Sequence, residues 1–166
     1  MKKRILLVVA IMALFTLSSS AQWKFGGGLA LGTKMGIDDD GSDKMGFGIN
    51  GRADYSINEK FSVAGGLTYF FPSAPEGMDL TAWKLAADAH YKFMDENFSL
   101  YGIAGLGYNY AKSKIDIMGY SAEADDSEIG LDIGAGINYN KFFGEIAYNT
   151  SFEQIEITVG ILFGGE

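Results

Sequence analysis

The sequence contains no cysteine, one histidine and two prolines among its 166 residues. The lack of cysteine excludes a disulfide framework, a thiolate metal site and a cysteine nucleophile, and a single histidine leaves little material for a zinc site or a proton relay. A chain of this length provides one domain, not two ordinary ones. Its 23 glycines and 14% aromatic residues are an unusual combination, because glycine weakens strand interiors whereas phenylalanine and tyrosine favour strands.

Long apolar runs are absent after the first segment of the chain. Lys2, Lys3 and Arg4 precede an apolar run from Ile5 to Leu17, which is followed by small residues. That run has 13 residues, fewer than the roughly 20 that a helix needs to cross a bilayer. We predict a secretory signal peptide over residues 1–21, cleaved before Gln22, and one mature domain over residues 22–166. The alternative is an uncleaved anchor helix.

The mature chain is strongly acidic. Removal of residues 1–21 takes away three cations and no acidic residue, so the formal charge changes from −8 to −11. Such a charge argues against nucleic acid as a partner. Nothing in the residue inventory indicates a cofactor, and none is expected.

The mature chain alternates apolar residues with small or charged ones at a period of two, which is typical of strands with two different faces. We identify eight such runs, each near the roughly 9 to 11 residues that a tilted strand needs to cross a bilayer. They cover residues 24–34, 46–55, 61–69, 83–92, 98–109, 129–139, 142–149 and 154–163. In the fifth run the alternation shifts parity, and we assign Leu100 and Tyr108 to its outward face.

The connections between the runs alternate in length. Residues 58–60, 95–97 and 140–141 form tight turns, whereas residues 36–44, 72–80 and 112–127 form longer, acidic segments. The repeating unit of about 40 residues is a hairpin followed by a loop, as in an up-and-down barrel.

The distribution of charge predicts which solvent surrounds this barrel. The faces assigned outward carry no Asp, Glu, Lys or Arg, as lipid requires, since a Lys or Arg at the bilayer midplane costs roughly 2 to 4 kcal/mol. The opposite faces collect a set of titratable residues: Arg52, Lys84, Asp88, His90, Asp132, Glu145 and Glu156. We therefore predict an all-β fold, an eight-stranded antiparallel up-and-down transmembrane β-barrel with a polar, filled lumen.

Aromatic residues at the strand ends support this interpretation, because membrane barrels carry aromatic belts at both interfaces. At the tight-turn end every strand contributes one to a predicted periplasmic girdle: Phe25, Tyr55, Phe61, Tyr91, Phe98, Tyr139, Phe142 and Phe163. A partial second belt at the long-loop end comprises Phe47, Tyr69, Trp83, Tyr108 and Tyr148.

The chain resembles the small OmpA/OmpX-type family of outer-membrane β-barrels in its predicted signal peptide, its eight alternating strands, its turns and loops, and its terminal run. The assembly signal of that family is similar to the terminal run that contains Thr158, Gly160, Ile161 and Phe163. The resemblance implies a monomer in the outer membrane of a Gram-negative bacterium, in contact with lipid and lipopolysaccharide and inserted by the barrel assembly machinery. Function does not follow from it, because such barrels host unrelated functions.

The lumen residues favour a plugged barrel or a narrow gated pore. We expect Arg52 and Lys84 to pair with some of the four predicted lumen carboxylates, since unpaired buried charges are costly. The alternative is a solvated interior with loose pairing. Our leading hypothesis for function is a non-enzymatic structural or surface-interaction protein, and a small low-conductance pore is the alternative.

An enzyme is the third hypothesis, because some barrels of this class modify lipids with a His and a nearby Ser. His90 has no Ser two residues away, so a structural role is the better interpretation. The residues of the loop from Asp38 to Asp43 do not match the calcium-loop pattern of an EF-hand. We predict that this segment is a solvated acidic turn. A weaker idea is that these carboxylates, with Glu123, Asp125 and Asp126, bind divalent cations that bridge to lipopolysaccharide.

Overall fold

The computed structural model describes residues 22–38, 40–117 and 120–165. The predicted signal peptide lies outside these residues. The strands are β1 (Trp23–Ile37), β2 (Asp43–Ser56), β3 (Phe61–Phe71), β4 (Met78–Asp95), β5 (Ser99–Ile117), β6 (Tyr120–Tyr139), β7 (Phe142–Asn149) and β8 (Gln154–Gly164). None of the described residues forms a helix long and apolar enough to cross a membrane.

The eight strands form one closed barrel in which each strand pairs antiparallel with its neighbours in sequence. Closure occurs where β1 pairs with both β2 and β8, so that Leu29 lies opposite Ile49 on one side and Val159 on the other. A closed barrel leaves no unpaired strand edge, which is what a sheet in hydrocarbon requires. The predicted fold class is confirmed.

Tight turns at one end follow from local side-chain chemistry. Asn58 Oδ1 accepts hydrogen bonds from the backbone N–H groups of Lys60 and Phe61, each at 2.9 Å, and so holds the β2–β3 turn. Asn140 adopts a left-handed φ of 54° in the two-residue connection between β6 and β7. Asparagine tolerates that conformation better than most residues.

The two faces of the sheet differ as the alternation predicts. Large apolar side chains such as Leu29, Leu106 and Ile133 are exposed on the outside, whereas polar side chains such as Asp132 and Gln154 are buried inside. In β5 Tyr101 is buried and Leu106 is exposed, so the assigned parity of that strand is confirmed.

The face of the upper part of β1 differs from the simple alternation. A register shift between Gly32 and Gly36 inserts a bulge, so Met35 becomes buried and Lys34 becomes exposed. The alternation had placed Lys34 on the inner face. A bulge changes which residues face inward. The residue types in this segment do not predict it.

The long-loop end contains more strand than the sequence predicts. Most of residues 112–127 are paired strand, not loop, because β5 and β6 continue in register from Tyr108 opposite Ile129 to Ile115 opposite Ala122. Strand β4 joins them from Met78. Together, β4, β5 and β6 extend beyond the outer aromatic belt, and we call the part formed by residues 78–82, 111–115 and 122–127 the projecting sheet.

Candidate functional site

Two groups of charged side chains span the lumen. The arginine cluster comprises Arg52, Asp54, Tyr101 and Glu145, with His90 beside it. Arg52 Nε donates to Asp54 Oδ1 at 2.8 Å and Arg52 Nη1 donates to Glu145 Oε1 at 2.7 Å. Tyr101 Oη also donates to Glu145 Oε1 at 2.8 Å. One guanidinium thus joins β2 to β7 across the barrel interior.

His90 is buried against this cluster and away from lipid. Its ring stacks on that of Tyr101, with centroids 4.8 Å apart, and its Nε2 lies 4.0 Å from Glu145 Oε1. Nε2 has no hydrogen-bond partner among the described residues. The His90 side chain is therefore enclosed by the barrel wall.

The lysine cluster comprises Lys84, Asp132, Asn149 and Glu156. Lys84 Nζ donates to Glu156 Oε2 at 2.6 Å and lies 3.4 Å from Asp132 Oδ1. Asn149 Nδ2 donates to the same Asp132 oxygen at 2.8 Å. All four side chains are buried, so β4, β6, β7 and β8 are linked by charge-assisted hydrogen bonds in a region shielded from bulk water.

Asp88 is the predicted lumen carboxylate that joins neither cluster. It lines a small cavity whose wall also includes Arg52, Lys84, Asp132 and Glu145, and its Oδ1 has no hydrogen-bond partner among the described residues. The cavity volume is about 40 Å³. Since one water needs roughly 10 to 15 Å³, this cavity has room for a few waters.

An apolar layer of buried side chains lies at the long-loop end of the lumen. Met35, Phe70 and Ala82 are buried there with Ala30, and Phe152 packs against them. Phe70 has no exposed surface at all. From the tight-turn end to the long-loop end, the interior therefore contains the arginine cluster, the lysine cluster and an apolar layer, which we call the apolar seal.

The projecting sheet is charged on its outward face. Lys112 Nζ lies 2.6 Å from Glu123 Oε1 on the neighbouring strand, and Asp125 is the register partner of Lys112. The hydrogen bond to Glu123 raises the pKa of Lys112. Both side chains are substantially exposed, so the pair contributes little to stability and mainly defines the charge of the surface.

The acidic loop between β1 and β2 is a compact turn. Gly41, with a φ of 83°, donates its N–H to Asp38 O, and Asp40 Oδ1 accepts a hydrogen bond from Ser42 N at 3.0 Å. That bond lowers the pKa of Asp40. Lys44 lies 3.4 Å from Asp38. The described residues contain no group of three or more His, Asp or Glu side chains placed to hold a metal ion.

The predicted girdle residues lie at the tight-turn end. Phe61 and Tyr91 are register partners with ring centroids 4.9 Å apart, and Phe25 lies opposite Phe163. The others are Tyr55 near the end of β2, Phe98 just before β5, Tyr139 at the end of β6 and Phe142 at the start of β7. Of the terminal run, Thr158 is buried and faces the lumen, while Phe163 is exposed.

Asp54, Tyr101 and Asn149 belong to the two clusters, although the predicted set of titratable lumen residues does not include them. Asp54 lies two residues after Arg52 on the same inward face of β2, as the alternation predicts. Its ion pair with Arg52 was not predicted. The inward position of the Tyr101 side chain could be predicted only from the parity assigned to β5. Asn149 is uncharged and followed no charge pattern, yet it is fully buried on Asp132. Trp23 and Phe93 also add exposed aromatic surface at the tight-turn end.

Comparison with known proteins gives one family and one fold. The sequence matches the family described as outer membrane protein beta-barrel domain over residues 5–160. No curated protein sequence matches the chain.

The solved structures that share the fold include the following three. They are Ail, the attachment invasion locus protein of Yersinia pestis, in complex with the heparin analogue sucrose octasulfate (20% identity, 86% of this chain, 98% of that one, TM-score 0.57); Neisserial surface protein A (19%, 86%, 95%, 0.57); and the N-terminal barrel of Pseudomonas aeruginosa OprF (16%, 86%, 98%, 0.53).

Proposed function

The chain belongs to the outer membrane protein beta-barrel domain family, and from this premise we propose that it is a non-enzymatic surface-interaction protein. In this proposal the barrel anchors the chain in the outer membrane, and the projecting sheet contacts partners outside the cell. The observation that carries it is the contrast between the two regions. The lumen is crossed by buried ion pairs and the apolar seal, whereas β4, β5 and β6 extend past the outer belt with their charges exposed.

The charge of the outer end defines the chemistry of the partner. Its described residues include many carboxylates and few amines: Asp38, Asp40, Asp43, Glu76, Asp79, Glu123, Asp125, Asp126, Glu128 and Glu153 against Lys34, Lys44, Lys112 and Lys114. Complementary charge steers association and disfavours wrong partners. We therefore propose a partner with a basic surface, and we expect a sulfated polyanion such as the heparin analogue bound to Ail to be repelled.

A hairpin replacement tests this proposal. Residues 111–126 are replaced by Asn-Gly, which joins the register partners Tyr110 and Ser127 through a two-residue turn. Protein in nanodiscs is then applied to columns of immobilised lysine-rich peptide and of heparin at low salt. We expect the parent to be retained by the basic column alone and the hairpin variant to elute earlier.

The control carries Glu59→Gln and Glu96→Gln, which remove two charges at the opposite end of the barrel. It should elute with the parent. Retention on heparin, or equal retention of the hairpin variant on the basic column, would show that the projecting sheet is not the interaction surface.

The remaining parts of the proposal concern export and surroundings. We propose that residues 1–21 are a cleaved signal peptide, that the barrel assembly machinery inserts the chain as a monomer, and that lipid and lipopolysaccharide surround its apolar wall. N-terminal sequencing of protein isolated from outer membranes should begin at Gln22. A sequence that begins at Met1 would show that residues 1–21 are retained.

A further inference from the structure

The outer mouth of the barrel holds a pocket that the proposed function does not use. It lies above the apolar seal and has a volume of about 400 Å³. Sites for small organic ligands usually have volumes of about 300 to 1,000 Å³ and are lined mainly by apolar groups with a few polar ones. The pocket is thus of the right size for such a ligand.

The floor and walls of the pocket are apolar. Met35 and Ala82 of the seal form the floor with Phe152, and Phe70 beneath them is fully buried. The inner face of the projecting sheet contributes Leu80 and Ala111 to the wall. Because the seal closes the lumen beneath, the pocket is a dead end and not the entrance of a channel.

Charge at the rim is unbalanced. Lys34 lies 3.8 Å from Asp43, and Lys112 lies 2.6 Å from Glu123, so each lysine at the rim already has a carboxylate partner. Asp126 is the register partner of Ala111 and therefore shares its inner face. Its Oδ1 accepts a hydrogen bond from Ser127 N at 2.9 Å, and within the described ranges it forms no ion pair.

We propose that this mouth pocket binds a small organic ammonium ligand with an apolar body. The hydrocarbon part lies on the floor formed by Met35, Ala82 and Phe152, and the ammonium group lies against the Asp126 carboxylate. An anionic ligand of the same shape meets the excess carboxylates of the rim and is disfavoured. A neutral one loses the ionic contact.

Methionine methyl NMR of the refolded full mature chain tests the proposal. The protein is held in nonionic maltoside micelles, which contain no competing ammonium group. Phenethylammonium is titrated as the probe, and phenylpropionate serves as the anion of similar shape. Met35 reports on the floor, and Met94, at the end of β4 on the periplasmic side, reports on nonspecific effects. We expect a saturable shift of Met35 with the ammonium probe, little with the anion, and none at Met94.

Variants separate the ionic contact from general partitioning into the micelle. Asp126→Asn should weaken binding by about two- to fivefold, as loss of an exposed ion pair does. Asp79→Asn removes the same charge from β4 without touching the pocket and should leave the affinity unchanged. Ala124→Trp, at an exposed position of the wall, should fill the pocket and abolish the Met35 shift.

Three results would overturn the proposal. These are equal affinity for the anion, a linear and unsaturable Met35 shift, and an affinity unaffected by Asp126→Asn. Heat-modifiable migration verifies that each variant is a folded barrel. If Ala124→Trp does not fold, Asp126→Asn and the anionic probe still decide the outcome.

Discussion

At the scale of single residues, burial determines how strongly the loss of one charged partner affects stability. Arg52 is almost completely enclosed and contacts two carboxylates, whereas Lys44 and Asp38 form a similar pair in solvent. Removal of one partner from a buried group leaves an uncompensated charge, which is far more costly than the loss of an exposed pair. Loss of one charged member of a lumen cluster should therefore lower the free energy of unfolding more than loss of a surface ion pair does.

Arg52→Met should destabilise the barrel by about 3 to 5 kcal/mol, because Asp54 and Glu145 would remain buried without their cation. Lys44→Met is the matched control and should cost less than about 1 kcal/mol. Urea titration in lipid vesicles measures both. Equal midpoints for the two variants would mean that water already solvates the arginine cluster.

Gly160→Ala should destabilise the barrel by about 1 to 3 kcal/mol through overpacking. A Cβ at this position would collide with the carbonyl oxygen of Gly27 and come within 2.6 Å of Phe143 Cε1. Gly65→Ala is the control, since no atom lies within 4 Å of its added methyl group. The same titration should show a midpoint near that of the parent for the control. A stable Gly160→Ala protein would mean that β1 and β8 can separate at this level.

At the scale of strands, the sequence is informative wherever the alternation is uninterrupted. The faces of residues 129–139 in β6 and 154–160 in β8 were predictable, because apolar residues alternate there with polar or small ones. The bulge before Gly36 was not, because it depends on pairing with β2 and not on residue type. The strand structure of residues 112–127 could not be predicted for a different reason. Their polar composition is that of a loop, yet β5 and β6 supply each other with hydrogen-bond partners.

The candidate site was predictable in part for the same reason. Parity placed Arg52 and Lys84 inside the barrel with their possible carboxylate partners. Which carboxylate each cation selects depends on strand register and tilt, so the choice of Glu156 for Lys84 required the structure. The mouth pocket could not be predicted from the sequence. Its floor combines Met35, which the bulge turns inward, with residues far apart in the chain.

The last strand should also carry the assembly signal. Phe163→Ala is expected to lower the fraction of heat-modifiable protein in outer membranes several-fold. Phe142→Ala is the control, because it removes an equally exposed aromatic ring at the same end from β7. A comparable loss in both variants would indicate that the girdle, and not recognition of the terminal run, limits assembly.

At the scale of the whole molecule, the wall of the barrel exposes its apolar side chains and buries charged ones in the lumen. Ile133, midway along the lipid-facing part of β6, is exposed, as is Ile129 at the level of the outer belt. Such a wall suits a lipid environment and would be unstable in water.

Ile133→Lys should therefore cost about 2 to 4 kcal/mol, and Ile129→Lys only about 0 to 1 kcal/mol, since the cost of a charge falls from the midplane to the interface. Unfolding in vesicles gives both values. Equal costs at the two depths would contradict the assignment of this face to lipid.

In the proposed function the lumen does not conduct, and the barrel acts through its outer surface. Planar bilayer recording on the refolded mature chain tests whether the lumen is closed. We expect no resolved conductance steps, from the parent or from Lys44→Met, because the two charge clusters and the apolar seal cross the interior. Reproducible steps in the parent that change with Arg52→Ala would contradict the account and identify a gated pore.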